Sequence, residues 1–306
     1  MKTKLGFILV VLLFATTAGS FAQKTKKPDP KFFIYLCFGQ SNMEAGARPE
    51  DQDKGELDKR FQMLAAVDNP RLNRVMGNWY VATPPINRPE NNMGPVDWFG
   101  RTMVANLPQK NRVGVINVSV AGAKIELWGK ESYKSYLDTE RVWMINICKQ
   151  YNGNHYQRLV DMAKIAQKDG VIKGILLHQG ESNSTDPEWP NKVKAIYNDL
   201  IKDLNLNPKD VPLLAGELKS AEEHGVCASF NVKILPNLPK VLPNSYIIST
   251  KGVKGSTDQF HFNTEGMREL GRRYAVEMLK IQGYKYKYGQ EKAVTSAAAA
   301  TPVPAK

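Results

Sequence analysis

Cysteine is scarce in this chain: Cys37, Cys148 and Cys227 are the only three in 306 residues, an odd number with no close spacing. That argues against a zinc site and against a disulfide framework, and leaves Cys148 and Cys227 only as a pair that an oxidising compartment would permit. Histidine is nearly as sparse, with His155, His178, His224 and His261 alone. Past the first two dozen residues, no run approaches the roughly 18 apolar residues of a spanning helix, so no membrane insertion of the mature chain is expected. Clustered basic charge is also missing. The formal net charge is +12, but the lysines are spread out apart from Lys24-Thr25-Lys26-Lys27. A nucleic-acid partner is therefore not expected. There is no internal repeat.

What is present begins with Lys2 and Lys4, an apolar run over 5–15, and small residues ending Ser20-Phe21-Ala22-Gln23. This pattern predicts a secretory signal peptide over 1–23 and a secreted or periplasmic protein. Its removal takes two lysines and lowers the formal charge to +10. The remaining length suits one sizeable domain, expected over 24–285. A tail over 286–306, whose last sixteen residues are dominated by Ala, Thr, Pro and Val, is expected to be disordered.

Apolar, β-branched runs recur at 32–37, 113–120, 171–178, 211–215 and 245–250, continuous rather than alternating. Such runs suit strands covered on both faces, hence a parallel sheet. Helical patterns lie between them at 96–107, 156–168, 189–204 and 264–281, which predicts a doubly wound α/β layer structure. In such sheets ligands bind outside the carboxyl ends of the strands. The polar clusters obey that rule: residues 39–42 follow the first strand, 121–123 the second and 178–183 the third. The segment 44–94 has no strong periodicity and many prolines, glycines and asparagines; with Trp79, Tyr80, Trp98 and Trp128 it is expected to wall a substrate cleft.

Gly39-Gln40-Ser41-Asn42 places a hydroxyl where a buried strand turns. A serine hydroxyl needs a nearby base, and Asp258-Gln259-Phe260-His261, just before the last amphipathic helix, supplies an imidazole with a carboxylate three residues away. Ser41 is thus the expected nucleophile, His261 the base and Asp258 its acid. Oxyanion donors are expected from the backbone N–H groups of Ser41 and Gly122 and from the Gln179 amide. Glu181 stays open between a second candidate acid, a loop holder and a binder of substrate hydroxyls.

The blocks Gly39-Gln40-Ser41-Asn42-Met43, His178-Gln179-Gly180-Glu181-Ser182 and Asp258-Gln259-Phe260-His261-Phe262-Asn263 resemble those of the SGNH hydrolase superfamily, in its branch of sialate O-acetylesterases and acetylxylan esterases. The resemblance spans about 32–281. It implies a three-layer α/β/α sandwich with a parallel, flavodoxin-like sheet, needing no metal or organic cofactor. By the same resemblance Ser41 is the nucleophile and His261 the general base, with Asp258 or the residue at Glu181 as acid, and Gly122 and Gln179 have oxyanion roles. Gln40, Asn42 and Met43 are expected to touch substrate. One departure is Ala45, where the family often has glycine.

The expected activity is removal of O-acetyl groups from a glycan, of the acetylxylan esterase or sialate O-acetylesterase type, with an acetylated glycan as partner. The alternatives are a broad-specificity carboxylesterase, an acetyltransferase on the same fold, or a glycan-binding module without turnover.

Overall fold

The computed structural model describes residues 27–55 and 57–289. The expected signal peptide and the tail from 290 onward lie outside the described residues. The tail's first residues are bonded to the domain: the Lys287 N–H donates to Asn106 Oδ1 at 2.8 Å.

Seven strands form one sheet: β1 (Phe32–Gly39), β2 (Phe61–Leu64), β3 (Trp79–Val81), β4 (Arg112–Ser119), β5 (Val171–His178), β6 (Leu213–Gly216) and β7 (Ser245–Ile248). Their order is β3-β2-β4-β1-β5-β6-β7, parallel except for the β2–β3 pair. The longer helices are α1 (Pro95–Asn106), α2 (Val142–Lys149), α3 (His155–Ala166), α4 (Trp189–Asp203) and α5 (Thr264–Ile281).

Every residue of β1 is buried, which explains its unbroken apolar run. Because side chains alternate across a strand, Phe32, Ile34, Leu36 and Phe38 join one core with Leu159 and Val160 of α3 and Val193 and Ile196 of α4. Tyr35 and Cys37 join the other, with Trp98 and Phe99 of α1 and Leu270 and Tyr274 of α5. Two apolar faces therefore demand two helical layers, and the result is the α/β/α sandwich expected.

The structure departs from expectation in three places. The segment 44–94 contains β2 and β3, which extend the sheet edge; at four and three residues they are too short to show a period. α2 lies in a stretch where no helix was expected. The aromatic residues expected to wall the cleft serve packing instead. Trp98 and Trp128 are buried, donating to Asp53 Oδ1 at 2.8 Å and to the Val118 carbonyl at 2.9 Å. The Trp79 ring packs on Phe32, and the Tyr80 hydroxyl accepts the Val75 N–H. All three cysteines are free, Cys37 and Cys148 in the core.

Candidate active site

Strand register brings the site together. Gly39, at the end of β1, lies beside Ser119 of β4 on one side and His178 of β5 on the other. The chain leaves β1 toward one half of the sheet and returns through β5 to build the other, so the loops after β1, β4 and β5 meet at the switch point where such sheets bind ligands. A Cβ on Gly39, whose φ is +152°, would fall 2.1 Å from the His178 carbonyl oxygen, so glycine is required for the chain to turn here.

Ser41 opens a single helical turn, Ser41–Glu44. Its N–H, at the head of that turn, has no intrahelical partner. Among the described residues, none accepts from the backbone N–H of Ser41 or of Gly122, which itself sits at φ +70°. Ala121, next to Gly122, is held by Glu44, whose Oε2 accepts the Ala121 N–H at 2.9 Å and whose Oε1 meets Arg88 Nε at 2.6 Å. Burial raises the Glu44 pKa, and the Arg88 guanidinium opposes it.

His261 arrives from the loop between β7 and α5. Its Nε2 lies 2.9 Å from Ser41 Oγ and its Nδ1 3.0 Å from Asp258 Oδ2. Both side chains of this ion-pair geometry are accessible, at 42% and 50%. An ionised carboxylate can only accept, so Nδ1 is assigned the proton and Nε2 faces the serine hydroxyl as acceptor. Asp258 also accepts from the N–H groups of Phe260 at 2.7 Å and His261 at 2.8 Å, and from Ser256 Oγ at 2.8 Å. Burial works to raise the Asp258 pKa, but those two backbone donors, the Ser256 hydroxyl and the imidazole outweigh it and hold the carboxyl well below its usual range. Beneath the loop, the buried Lys219 ammonium donates to the Ser256 carbonyl at 2.9 Å and to that of Asp258.

Glu181 lies close by but does not bond the imidazole, both of whose nitrogens are engaged. Its Oε1 accepts from Asn42 Nδ2 at 2.7 Å, and its Oε2 is buried without a partner. Burial raises its pKa from 4.5 to about 7, against smaller opposing effects of a backbone N–H, Asn42 and His261.

Four expected contacts with the reaction or substrate take other places. Gln179 is buried, its Nε2 facing Asn183 Oδ1 at 2.8 Å, Gln40 Oε1 at 3.1 Å and the Ala123 carbonyl at 3.2 Å. With two hydrogens and three internal acceptors, that amide is not aimed at an oxyanion. Gln40, Asn42 and Met43 are buried too. Gln40 ties the loops after β1 and β5 through Ser182 N–H at 3.2 Å. Asn42 joins Glu181 to the Phe260 carbonyl at 3.0 Å and accepts the Phe262 N–H at 3.3 Å. The turn that leaves Ser41 half-exposed buries its neighbours on both sides.

The cleft beside Ser41 and His261 has a volume of about 500 Å³ and is lined in part by Ala45, Arg48, Ala121 and Met267. Ala45 adopts φ +94°, a conformation that favours glycine. Arg48 was not foreseen from sequence, because nothing local marks an isolated arginine as facing a cleft. Ser256 had a readable signal, two residues before an aspartate in a turn-forming stretch. Lys219, Arg88 and Trp143, whose ring contacts the Gly122 loop, had none.

A parallel α/β/α sheet with an outward serine at the switch point and an imidazole across from it defines an SGNH-like hydrolase. The chain belongs to the family described as carbohydrate esterase, sialic acid-specific acetylesterase, whose model matches residues 31–280. It is accordingly a carboxylic ester hydrolase of the carbohydrate acetylesterase class. It is similar to an Arabidopsis thaliana protein named a probable carbohydrate esterase, 22% identical over 280 residues that cover 86% of this chain and 96% of that one. Among solved structures, its fold is similar to an Arabidopsis thaliana protein (21% identity, 82% and 99% of the two chains covered, TM-score 0.62). It is also similar to a carbohydrate acetylesterase of Xanthomonas citri (18%, 81% and 56%, TM-score 0.56) and to NanS (15%, 84% and 99%, TM-score 0.59). No helix among the described residues is long and apolar enough to cross a membrane.

Proposed function

We propose that this carbohydrate esterase is a serine enzyme that removes O-acetyl groups from the hydroxyls of a glycan. The observation that carries the reading is the hydrogen-bonded line from Ser41 Oγ through the His261 ring to Asp258 Oδ2. Ser41 Oγ bonds to the acetyl carbonyl carbon as its proton passes to His261 Nε2, and Asp258 stabilises the imidazolium. The backbone N–H groups of Ser41 and Gly122 receive the oxyanion. Collapse breaks the bond to the sugar oxygen, which takes the proton from His261. Water then attacks the acetyl-serine, giving a proton to the same nitrogen; acetate leaves, and Ser41 Oγ recovers its proton.

Acetate release from O-acetylated xylan and from O-acetylated sialic acid tests this directly. Ser41→Ala and His261→Ala should each lower kcat by about 10³-fold or more with the thermal unfolding curve retained. Near-normal turnover in either variant would remove the serine mechanism.

One observation bears on the substrate. Arg48 lines the cleft and is exposed, and among the described residues no carboxylate forms an ion pair with it. An arginine in the wall of the same cleft as Ser41 suits a sugar that carries a carboxylate, which favours a sialic or uronic acid over neutral xylose. Arg48→Ala should then raise KM about tenfold for the acidic sugar and much less for a neutral one. We also propose export to the periplasm or medium through residues 1–23, to be checked by N-terminal sequencing of the secreted protein.

A further inference from the structure

The protein has five tryptophans, and four of them bond their indole N–H internally. Trp79 donates to Asp169, Trp98 to Asp53, Trp128 to the Val118 carbonyl and Trp189 to the Gln179 amide oxygen. Trp143 differs. It is 45% exposed, and among the described residues none accepts from its Nε1. Its neighbour Val142 is 73% exposed, so the start of α2 presents apolar surface to water.

The position of this ring is fixed by its own helix. Met144 and Cys148, four residues apart on α2, are buried, which directs Trp143 to the outer side. Met144 is held where Tyr136 donates its hydroxyl to the Met144 sulfur, while the same hydroxyl accepts the Lys124 N–H at 3.1 Å. α2 is thereby tied to the loop after β4. A Cβ on Gly122 would lie 3.1 Å from Trp143 Cη2 and 3.6 Å from the Met144 methyl, so the indole rests directly against the glycine. Ala121 lines the cleft and the next residue, Gly122, touches the indole, so Trp143 sits one residue beyond the cleft wall.

A half-exposed indole whose N–H has no internal acceptor is suited to a pyranose ring, whose C–H face packs on the aromatic while a hydroxyl accepts from Nε1. We propose that Trp143 is the platform of a second sugar subsite, so that the enzyme acts on glycans of at least two rings: the acetylated ring lies in the cleft at Ser41 and its neighbour lies on Trp143. This rests on the esterase reading of Ser41. Trp143 is a specificity-determining residue and takes no part in proton transfer.

The test compares kcat/KM for an O-acetylated oligosaccharide with that for the corresponding O-acetylated methyl monosaccharide, in wild type, Trp143→Ala and Trp143→Phe. The pair is acetylated xylotetraose with acetylated methyl β-xyloside, or acetylated sialyllactose with acetylated methyl sialoside, whichever class the wild-type enzyme deacetylates. Trp143→Ala should reduce the oligosaccharide-to-monosaccharide ratio about tenfold, mostly through KM, and Trp143→Phe should restore the greater part of it. Equal losses on both substrates would mean that the indole only supports the Gly122 loop, and an unchanged ratio would mean that no ring binds there; either overturns the proposal. Ser41→Ala run on the monosaccharide separates the two readings, since Ser41-dependent turnover with an unchanged Trp143→Ala ratio removes the subsite and leaves the esterase standing.

Discussion

Two loops at the carboxyl edge of the sheet each bring a carboxyl group toward His261, and they treat it in opposite ways. The loop after β7 leaves Asp258 half-exposed but aims two backbone N–H groups, a hydroxyl and the imidazole at it, so it stays ionised. The loop after β5 turns the Glu181 carboxyl inward with one side-chain donor, Asn42, and one buried, orphaned oxygen, so it holds its proton toward neutral pH. Burial decides the state of Glu181 and hydrogen-bond donors decide that of Asp258, and between them they set which carboxyl can carry the negative charge that stabilises an imidazolium. Asp258 meets that requirement, whereas Glu181 is built as a part of the scaffold.

Neutralising each carboxyl in turn separates their roles. Asp258→Asn should lower kcat by about 10²- to 10⁴-fold, because an amide at that position no longer fixes the tautomer that leaves Nε2 as the base. Glu181→Gln should cost only a few-fold in kcat, since it resembles the protonated form already favoured by burial. Steady-state acetate release from the three proteins measures both, and a larger loss in Glu181→Gln would reverse the assignment.

Between these extremes lies Asn42, the link joining the two loops. Asn42→Ala leaves Glu181 Oε1 and the Phe260 carbonyl without their donor and Phe262 N–H without its acceptor. Unpaired buried groups cost about 1–3 kcal/mol each, so the melting temperature should fall by several degrees. The loop carrying His261 loses a tether at the same time, and kcat should drop about tenfold. A normal melting temperature with reduced kcat would move Asn42 from the scaffold to the substrate.

Much of this site was legible in the sequence, and the rest was hidden for physical reasons. Ser41, His261 and Asp258 are marked by their place at strand ends and by the three-residue spacing of acid and imidazole, both local signals. The residues that hold them are not local: Lys219 reaches the Asp258 loop across 39 positions, and Arg88 reaches Glu44 across 44. Side-chain direction was the other hidden variable. Gln40, Asn42 and Met43 flank the serine, yet the turn buries them, and the tryptophans nearest the expected cleft are packing residues while Trp143 faces solvent. The parallel sheet announced itself through long buried strands, but β2 and β3 are too short to do so.

The smallest effect bears most directly on the state of Glu181. Its pKa rises from 4.5 in the ordinary case to about 7 in the folded protein, so between those values the native state binds a proton that the unfolded chain releases. By linkage, stability from this group is fully present below pH 4.5 and is lost as pH climbs through 7. Glutamine does not titrate, so Glu181→Gln should gain on wild type across that window and keep a constant offset from it above. Asp97, raised to about 7 chiefly by burial and drawn down by Arg101, titrates over the same range, but it is present in both proteins and cancels in the difference. Melting temperatures at pH 4.5, 6 and 8 should show the gap between variant and wild type shifting by a few degrees in favour of glutamine. A gap independent of pH would mean that Glu181 is ionised throughout, which would restore it as a rival to Asp258 for the charge beside His261.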